Sequence, residues 1–270
     1  MKSVVAVSLL LSIFSVHAVK ADYLFAAPPR EGEMAGITIY GPLVQKLTQV
    51  LGENVVYEQP ASWLEYSKKM RNDEYDIVFD GPHFNAWRMK HLSHNLVVSL
   101  PGSLQFHLVT YKRYLAIRTS EDLVGRTICA MPSPNLATDM ILTLFNNPSV
   151  QPQIYDVRGG FREMYESFQN SRCLATIMRI DMFDKLSGRE KDQLKIIATT
   201  QALPNQTFSV SKRLKKQVGT LRKFMLSEDG SAAGQKILAR YSKGASHFVR
   251  ADAEKFVGAE TFLEDVVFGW

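Results

Sequence analysis

Residues 75–82 read Tyr-Asp-Ile-Val-Phe-Asp-Gly-Pro, and no other run constrains the fold as strongly. An apolar β-run climbs to an acid, a glycine and a proline, and a helix-like segment opens at His83. A parallel strand that ends in such a turn delivers its last residues to the carboxyl edge of an α/β sheet, where ligands bind in the crevice. The run therefore predicts an open sheet with a small-molecule site at its edge.

The flanking sequence continues this grammar. A first strand over 23–27 leads into a loop of charge and glycine, PPREGEMAG. Leu43, Val44, Leu47, Val50 and Leu51 then fall on one helical stripe, with Pro42 suited to the first helical turn and Gly52 to the exit. After a strand over 55–58, Ser62 and Glu65 stand at capping-box spacing ahead of Tyr66 and Met70. With the strand over 75–79 this makes βαβαβ, the unit of a doubly wound sheet.

A second set follows a crossing segment at 104–111. It has a strand over 126–131, a helix over 133–145 with Leu136, Met140, Leu144 and Phe145 inward, and a strand over 154–157. A helix marked by Phe161, Met164, Tyr165 and Phe168 comes next, then strands over 174–178 and 194–199. Beyond Pro204 the chain turns helical and basic, with one more strand at 208–210. Two sets of similar size predict an α/β fold of two doubly wound lobes with a crevice between them. Lobe one spans 22–106 and is rejoined by 205–270, and lobe two spans 107–204.

The first 21 residues stand apart. Lys2 precedes an apolar stretch over 4–16, and Ala18 and Ala21 each put a small residue before a cleavage point. The stretch is too short to span a bilayer comfortably. The segment predicts a signal peptide cut after Ala18 or Ala21 and a soluble protein retained in a Gram-negative periplasm. The formal charge is +5, of which Lys2 and Lys20 account for two. That is too mild to argue for nucleic acid, and KRLKK (212–216) reads as a solvated helix face.

Enzymatic motifs are missing: there is no GxGxxG, GxxxxGK, HExxH or GxSxG. Asp76 and Asp80, four apart on a strand and its turn, need not converge like a glycosidase pair. No catalytic residue, metal or cofactor is expected. Cys129 and Cys173 sit in the apolar runs RTICAM and CLATIM, which read as buried strands of one sheet. Neighbouring strands would permit a disulfide in an oxidising compartment, and two buried free thiols are the alternative.

Four segments also carry a family resemblance: ITIYGPLVQKL (37–47), YDIVFDGPHF (75–84), SEDLVGRTICAMPSP (120–134) and LKIIATTQALPNQTF (194–208). In order and spacing they resemble the phosphonate-binding family of ABC-transporter substrate-binding proteins, whose members bind phosphate, phosphite, phosphonates and other small molecules. The resemblance implies a type 2 periplasmic-binding-protein fold, two lobes joined by two hinge crossings, that closes by hinge motion around its ligand, like a flytrap. It implies a monomer that captures a small anion, such as a phosphonate-like oxyanion, and presents it to an inner-membrane ABC permease. The alternative partner is a sensor kinase, and a hydrolase is the remaining rival reading.

Candidate ligand-binding residues follow. Ser133, Asn135 and Thr138 lie within about a turn and a half at a predicted helix start, where unpaired amides and the helix dipole attract oxyanions. The bland reading is that Ser133 only caps that helix. Tyr40, just before Gly41-Pro42, offers a phenol at a helix entrance or simply packs there. His83, after the Gly81-Pro82 turn, offers an imidazole that charges near neutral pH. Asp80 in the same turn would repel an anion, and is expected instead to cap the next helix or receive an amine. Arg179, at the end of CLATIM, offers a bidentate fork, with a surface salt bridge as the competing explanation. Trp63, Gln105 and His107 are weaker candidates.

Overall fold

The computed structural model describes residues 22–264 except 146, 148, 158 and 243, so the expected signal peptide lies outside the described residues. Two separate sheets organise the chain. The first contains β1 (Tyr23–Ala26), β2 (Val55–Glu58), β3 (Ile77–Asp80), β4 (Asn95–Ser99), β12 (Thr207–Val210) and β13 (Val249–Arg250) in the order β13-β4-β12-β3-β1-β2. Here β1 runs parallel to β2 and β3, whereas β12 is antiparallel to β3 and β4. The second contains β6 (Phe106–Tyr111), β7 (Thr127–Ala130), β8 (Gln153–Asp156), β9 (Ala175–Arg179) and β10 (Leu194–Thr199) in the order β10-β6-β9-β7-β8. A short ribbon of β5 (Ser103–Leu104) against β11 (Leu203–Pro204) marks the two crossings between them.

Central strands buried on both faces read as unbroken apolar runs, which explains Ile77–Asp80 and the Ala175–Met178 stretch. Helices α1 (Glu33–Leu51), α2 (Trp63–Arg71) and α3 (Pro82–Leu92) belong with the first sheet, and α4 (Leu136–Leu142) and α5 (Phe161–Gln169) with the second. Leu43, Val44 and Leu47 of α1 pack on Phe25, Phe79 and Phe208, while Met140, Met164 and Phe168 pack on Ile128 and Ile177. Each sheet thus builds a core of its own, and Ala86 of α3 and Leu96 of β4 join the second of these from the first lobe.

Two helix starts differ from the sequence expectation. Helix α1 begins at Glu33, so Pro42 lies inside it rather than in its first turn. The apolar stripe explains this, because Gly36 and Tyr40 extend it backwards at helical spacing and both are buried. Helix α4 begins at Leu136, three residues later than expected, because Asn135 and not Ser133 is its cap. The basic run 212–217 forms a 3₁₀ turn with Leu214 buried. The first sheet also contains two strands beyond the sequence expectation, β4 in its interior and β13 at its edge.

The second lobe carries a disulfide between Cys129 and Cys173, whose Cα atoms are 5.6 Å apart. Cys129 lies on β7 and Cys173 just before β9, and these strands pair in parallel. Closing a loop of 44 residues contributes on the order of 3–4 kcal/mol in the chain-entropy account.

The chain end joins both halves. Helix Thr261–Glu264 packs against α3 and against α4. Leu263 lies with Tyr66 and Phe84 of the first lobe, while Phe262 and Phe256 join the cluster containing Leu136 and Met140 of the second. No helix among the described residues is long and apolar enough to cross a membrane.

Candidate functional site

The strand β3 delivers Asp80 to the sheet's carboxyl edge, and Gly81 and Pro82 turn the chain into α3. Asp80 is fully buried, where an isolated carboxylate is very costly. It is therefore held on all sides. Arg88 Nη1 approaches its Oδ2 at 2.8 Å, Arg30 Nη2 approaches Oδ1 at 3.2 Å, the Gly81 amide donates to Oδ1 at 2.7 Å, and the Tyr66 hydroxyl donates to Oδ2. This corrects the expectation for Asp80: it neither caps α3, whose cap is Gly81, nor awaits an amine. Two guanidiniums share this carboxylate, and Glu31 lies within electrostatic reach of Arg30 as well.

Arg30 is the more open of the two guanidiniums. It follows β1, at the same sheet edge as Asp80, and its Nη1 is buried with no hydrogen-bond partner. Its other nitrogen anchors it on Asp80, which fixes the fork.

His83, the second residue of α3, is 2% exposed. Its Nε2 lies 3.2 Å from the carbonyl oxygen of Pro134, on the loop that enters α4 of the other lobe. Its Nδ1 is buried without a partner. Burial lowers its pKa to about 4, with the Arg30 and Arg88 charges acting the same way and Asp80 and the Pro134 carbonyl opposing. The imidazole is thus neutral at physiological pH, against the expectation that it charges near neutrality.

Across the seam, Ser133 is exposed beside Pro134. Asn135 caps α4 by accepting from the Ala137 amide at 3.1 Å, and Thr138 donates to the Met131 carbonyl at 2.5 Å. Both side chains thus brace the loop. Asp139, one residue further on, is 3% exposed, and neither of its carboxylate oxygens has a partner. Burial raises its pKa to about 7; the nearby Ser133 side chain acts weakly the other way but closes no hydrogen bond.

The remaining candidates make no contact with the Pro134 loop, although Tyr40 lies within electrostatic reach of Arg30. Tyr40 is fully buried in the middle of α1, 5.3 to 6.2 Å from the rings of Phe25, Tyr57 and Phe79. Its hydroxyl meets that of Tyr241 at 2.7 Å and donates to Glu31 at 3.3 Å. Arg179 ends β9 near the hinge ribbon, pairs with Asp181 at 2.9 Å, and lines a cavity of about 180 Å³ with Ser103, Gln105 and Asp184. Trp63 stacks on Phe84, Gln105 donates to the Thr200 carbonyl, and His107 meets Thr199. The structure therefore brings His83 and the Ser133 loop together, sets the Tyr40 hydroxyl on Glu31 within electrostatic reach of Arg30, and leaves Arg179 near the hinge.

Arg30 and Asp139 went unnoticed in the sequence. The signal for Arg30 was present: it leaves a parallel strand at its carboxyl end, as Asp80 does. Asp139 offered a weaker one, an acid directly after Thr138 in an otherwise apolar helix. Among the described residues, no cluster of His, Cys, Asp and Glu is placed to hold a metal ion.

Over residues 25–256 the sequence matches the model of a family described as ABC transporter, phosphonate, periplasmic substrate-binding protein. No curated protein matches the chain by sequence. Among solved structures, a Xanthomonas citri protein bound to ATP gives a TM-score of 0.69 at 11% identity, covering 91% of this chain and 98% of that one. PhnD1 from Prochlorococcus marinus in complex with methylphosphonate gives 0.63 at 13% identity, covering 90% and 97%. A binding protein component of an ABC phosphonate transporter from Pseudomonas aeruginosa gives 0.61 at 16% identity, covering 89% and 85%. These likenesses establish the fold as that of two-lobed type 2 periplasmic binding proteins.

Proposed function

We propose a ligand class and a binding mode for this chain, which belongs to the family of periplasmic substrate-binding proteins of phosphonate ABC transporters. It captures a small oxyanion, phosphonate-like in shape and charge, between its lobes. The closed form is then handed to an ABC permease in the inner membrane. The family is defined by transport, so a permease rather than a sensor kinase is the partner we propose, and the chain works as a monomeric binder without catalysis. Lobe one takes in 22–106 and 205–270 and lobe two 107–204, with residues 1–21 acting as the cleaved export signal.

One observation carries this reading. Arg30 Nη1 is a buried donor with no partner, on a guanidinium held in place by Asp80, next to the His83 contact that joins the lobes. A buried unsatisfied donor costs free energy that an anion recovers on binding. Ser133, exposed at the facing loop, adds a hydroxyl from the other lobe as they close. Asn135 and Thr138 shape that loop, while Tyr40 and Arg179 act at the margins, one through the lobe-one core and one beside the hinge.

Thermal melting of the mature chain tests the proposal. Phosphonates, phosphite and phosphate are compared with carboxylates and amines. A ligand at about 100 times its dissociation constant adds about 2.7 kcal/mol of stability. A shift with phosphorus oxyanions alone supports the reading, and a shift only with amines refutes it.

A further inference from the structure

We infer that Arg30 and His83 together select a ligand oxygen that carries a proton, so that the site takes an oxyanion in its monoprotonated form and discriminates against an aprotic anion of the same shape. This deepens the oxyanion reading above and rests on it.

The inference starts from what each nitrogen can do. The Pro134 carbonyl only accepts hydrogen bonds, so the His83 nitrogen facing it, Nε2, carries the hydrogen. The imidazole is neutral in this setting, so Nδ1 is left as a bare lone pair. That lone pair is buried and has no partner. Arg30 Nη1, also buried and without a partner, only donates. The site therefore presents one unmatched donor and one unmatched acceptor.

Gly81 permits this arrangement. A Cβ at that position would stand 2.9 Å from His83 Nδ1 and 3.9 Å from Arg30 Nη2, so any side chain there would collide with the imidazole. The charged groups facing His83 are Asp80 from β3, Arg88 from α3 and Arg30 from the loop after β1, while the facing loop contributes only the Pro134 carbonyl. Asp80 is already saturated by Arg30, Arg88, Tyr66 and the Gly81 amide. It offers nothing to Nδ1.

A ligand group that satisfies both nitrogens must accept from Arg30 and donate to His83. A singly protonated phosphonate does so, with a bare oxygen on Arg30 and its P–OH on Nδ1. A sulfonate has the same tetrahedral shape and single charge but no proton to give. It sets an oxygen lone pair against the Nδ1 lone pair and leaves that acceptor unmatched. Sites built to pair with a hydroxyl reject analogues that lack it far more strongly than apolar pockets reject a size change.

Calorimetric titration of the mature chain with methylphosphonate and with methanesulfonate decides the matter. At about pH 6, where phosphoryl groups still hold a proton, methylphosphonate binds at least about tenfold more tightly than methanesulfonate. Its affinity falls at least about tenfold by about pH 9 as the dianion takes over, well beyond any fall in methanesulfonate affinity, which reports only the ionisation of Asp139 near Ser133. His83→Leu removes the discrimination and leaves residual binding through Arg30. Equal affinities for the two probes, as when a trapped water already matches both nitrogens, overturn the inference and leave the oxyanion reading standing. Tighter methylphosphonate binding at high pH also overturns it. Failure of both probes to bind overturns the inference and the oxyanion reading together.

Discussion

His83 Nε2 and the Pro134 carbonyl oxygen meet at 3.2 Å, one from the first turn of the helix that follows β3 and the other from the loop that follows β7. The two strand exits on which the sequence reading concentrated therefore touch each other across the seam. One hydrogen bond between lobes contributes about 1 kcal/mol net, roughly a fivefold bias in an open-to-closed equilibrium. His83→Ala is expected to raise the radius of gyration of the ligand-free chain in small-angle X-ray scattering. An unchanged radius would mean that the contact does not hold the lobes together.

Asp80 is the electrostatic keystone of lobe one. Removing its charge leaves Arg88, only 1% exposed, as a buried cation with no counter-charge, because both groups sit in the same enclosed network. Asp80→Asn is expected to cost about 3–5 kcal/mol of stability in urea unfolding. A loss below about 1 kcal/mol would show that water reaches Arg88 and screens it.

Asp139 gives a pH signature with a definite sign. Its folded-state pKa, about 7, lies above the ordinary carboxylate value because burial disfavours the charged form. Its contribution to stability is therefore complete below about pH 4 and is lost as pH rises through about 7. Asp139→Asn cannot ionise. The variant should match wild type near pH 4 and exceed it near pH 8 by a few kcal/mol, on the order set by the shift. His83 and His94, both lowered to about 4 mainly by burial, weaken the fold as pH falls from about 6.5. They act equally in both proteins and cancel in the difference. A difference that does not change with pH would show that Asp139 has found a partner.

The outline of the fold was legible because strand exits and helix stripes are local signals. The run ending at Asp80 announced a buried parallel strand, and the apolar runs around Cys129 and Cys173 announced two more, although which strands pair is a tertiary fact and the disulfide waited on it. Tyr40 was misplaced because Pro42 imitates a helix start, when the stripe through Gly36 and Tyr40 carries α1 further back. Ser133 reads as a ligand donor or a cap at a helix start, and the structure rules out the second, because the helix begins at Leu136 and Asn135 caps it. The place of Arg30 after β1 was legible but its anchoring was not, because nothing in its loop predicts that a carboxylate 50 residues later will hold it.

The most direct test of the whole account is a calorimetric comparison of wild type with Arg30→Ala, using methylphosphonate as titrant. Asp80 keeps Arg88, Tyr66 and the Gly81 amide in the variant, so the fold survives the loss of the Arg30–Asp80 contact along with the unmatched donor. The account predicts saturable 1:1 binding by wild type and affinity at least about tenfold weaker in the variant, as expected for a charge-assisted hydrogen bond in a buried site. Full affinity in Arg30→Ala would contradict it.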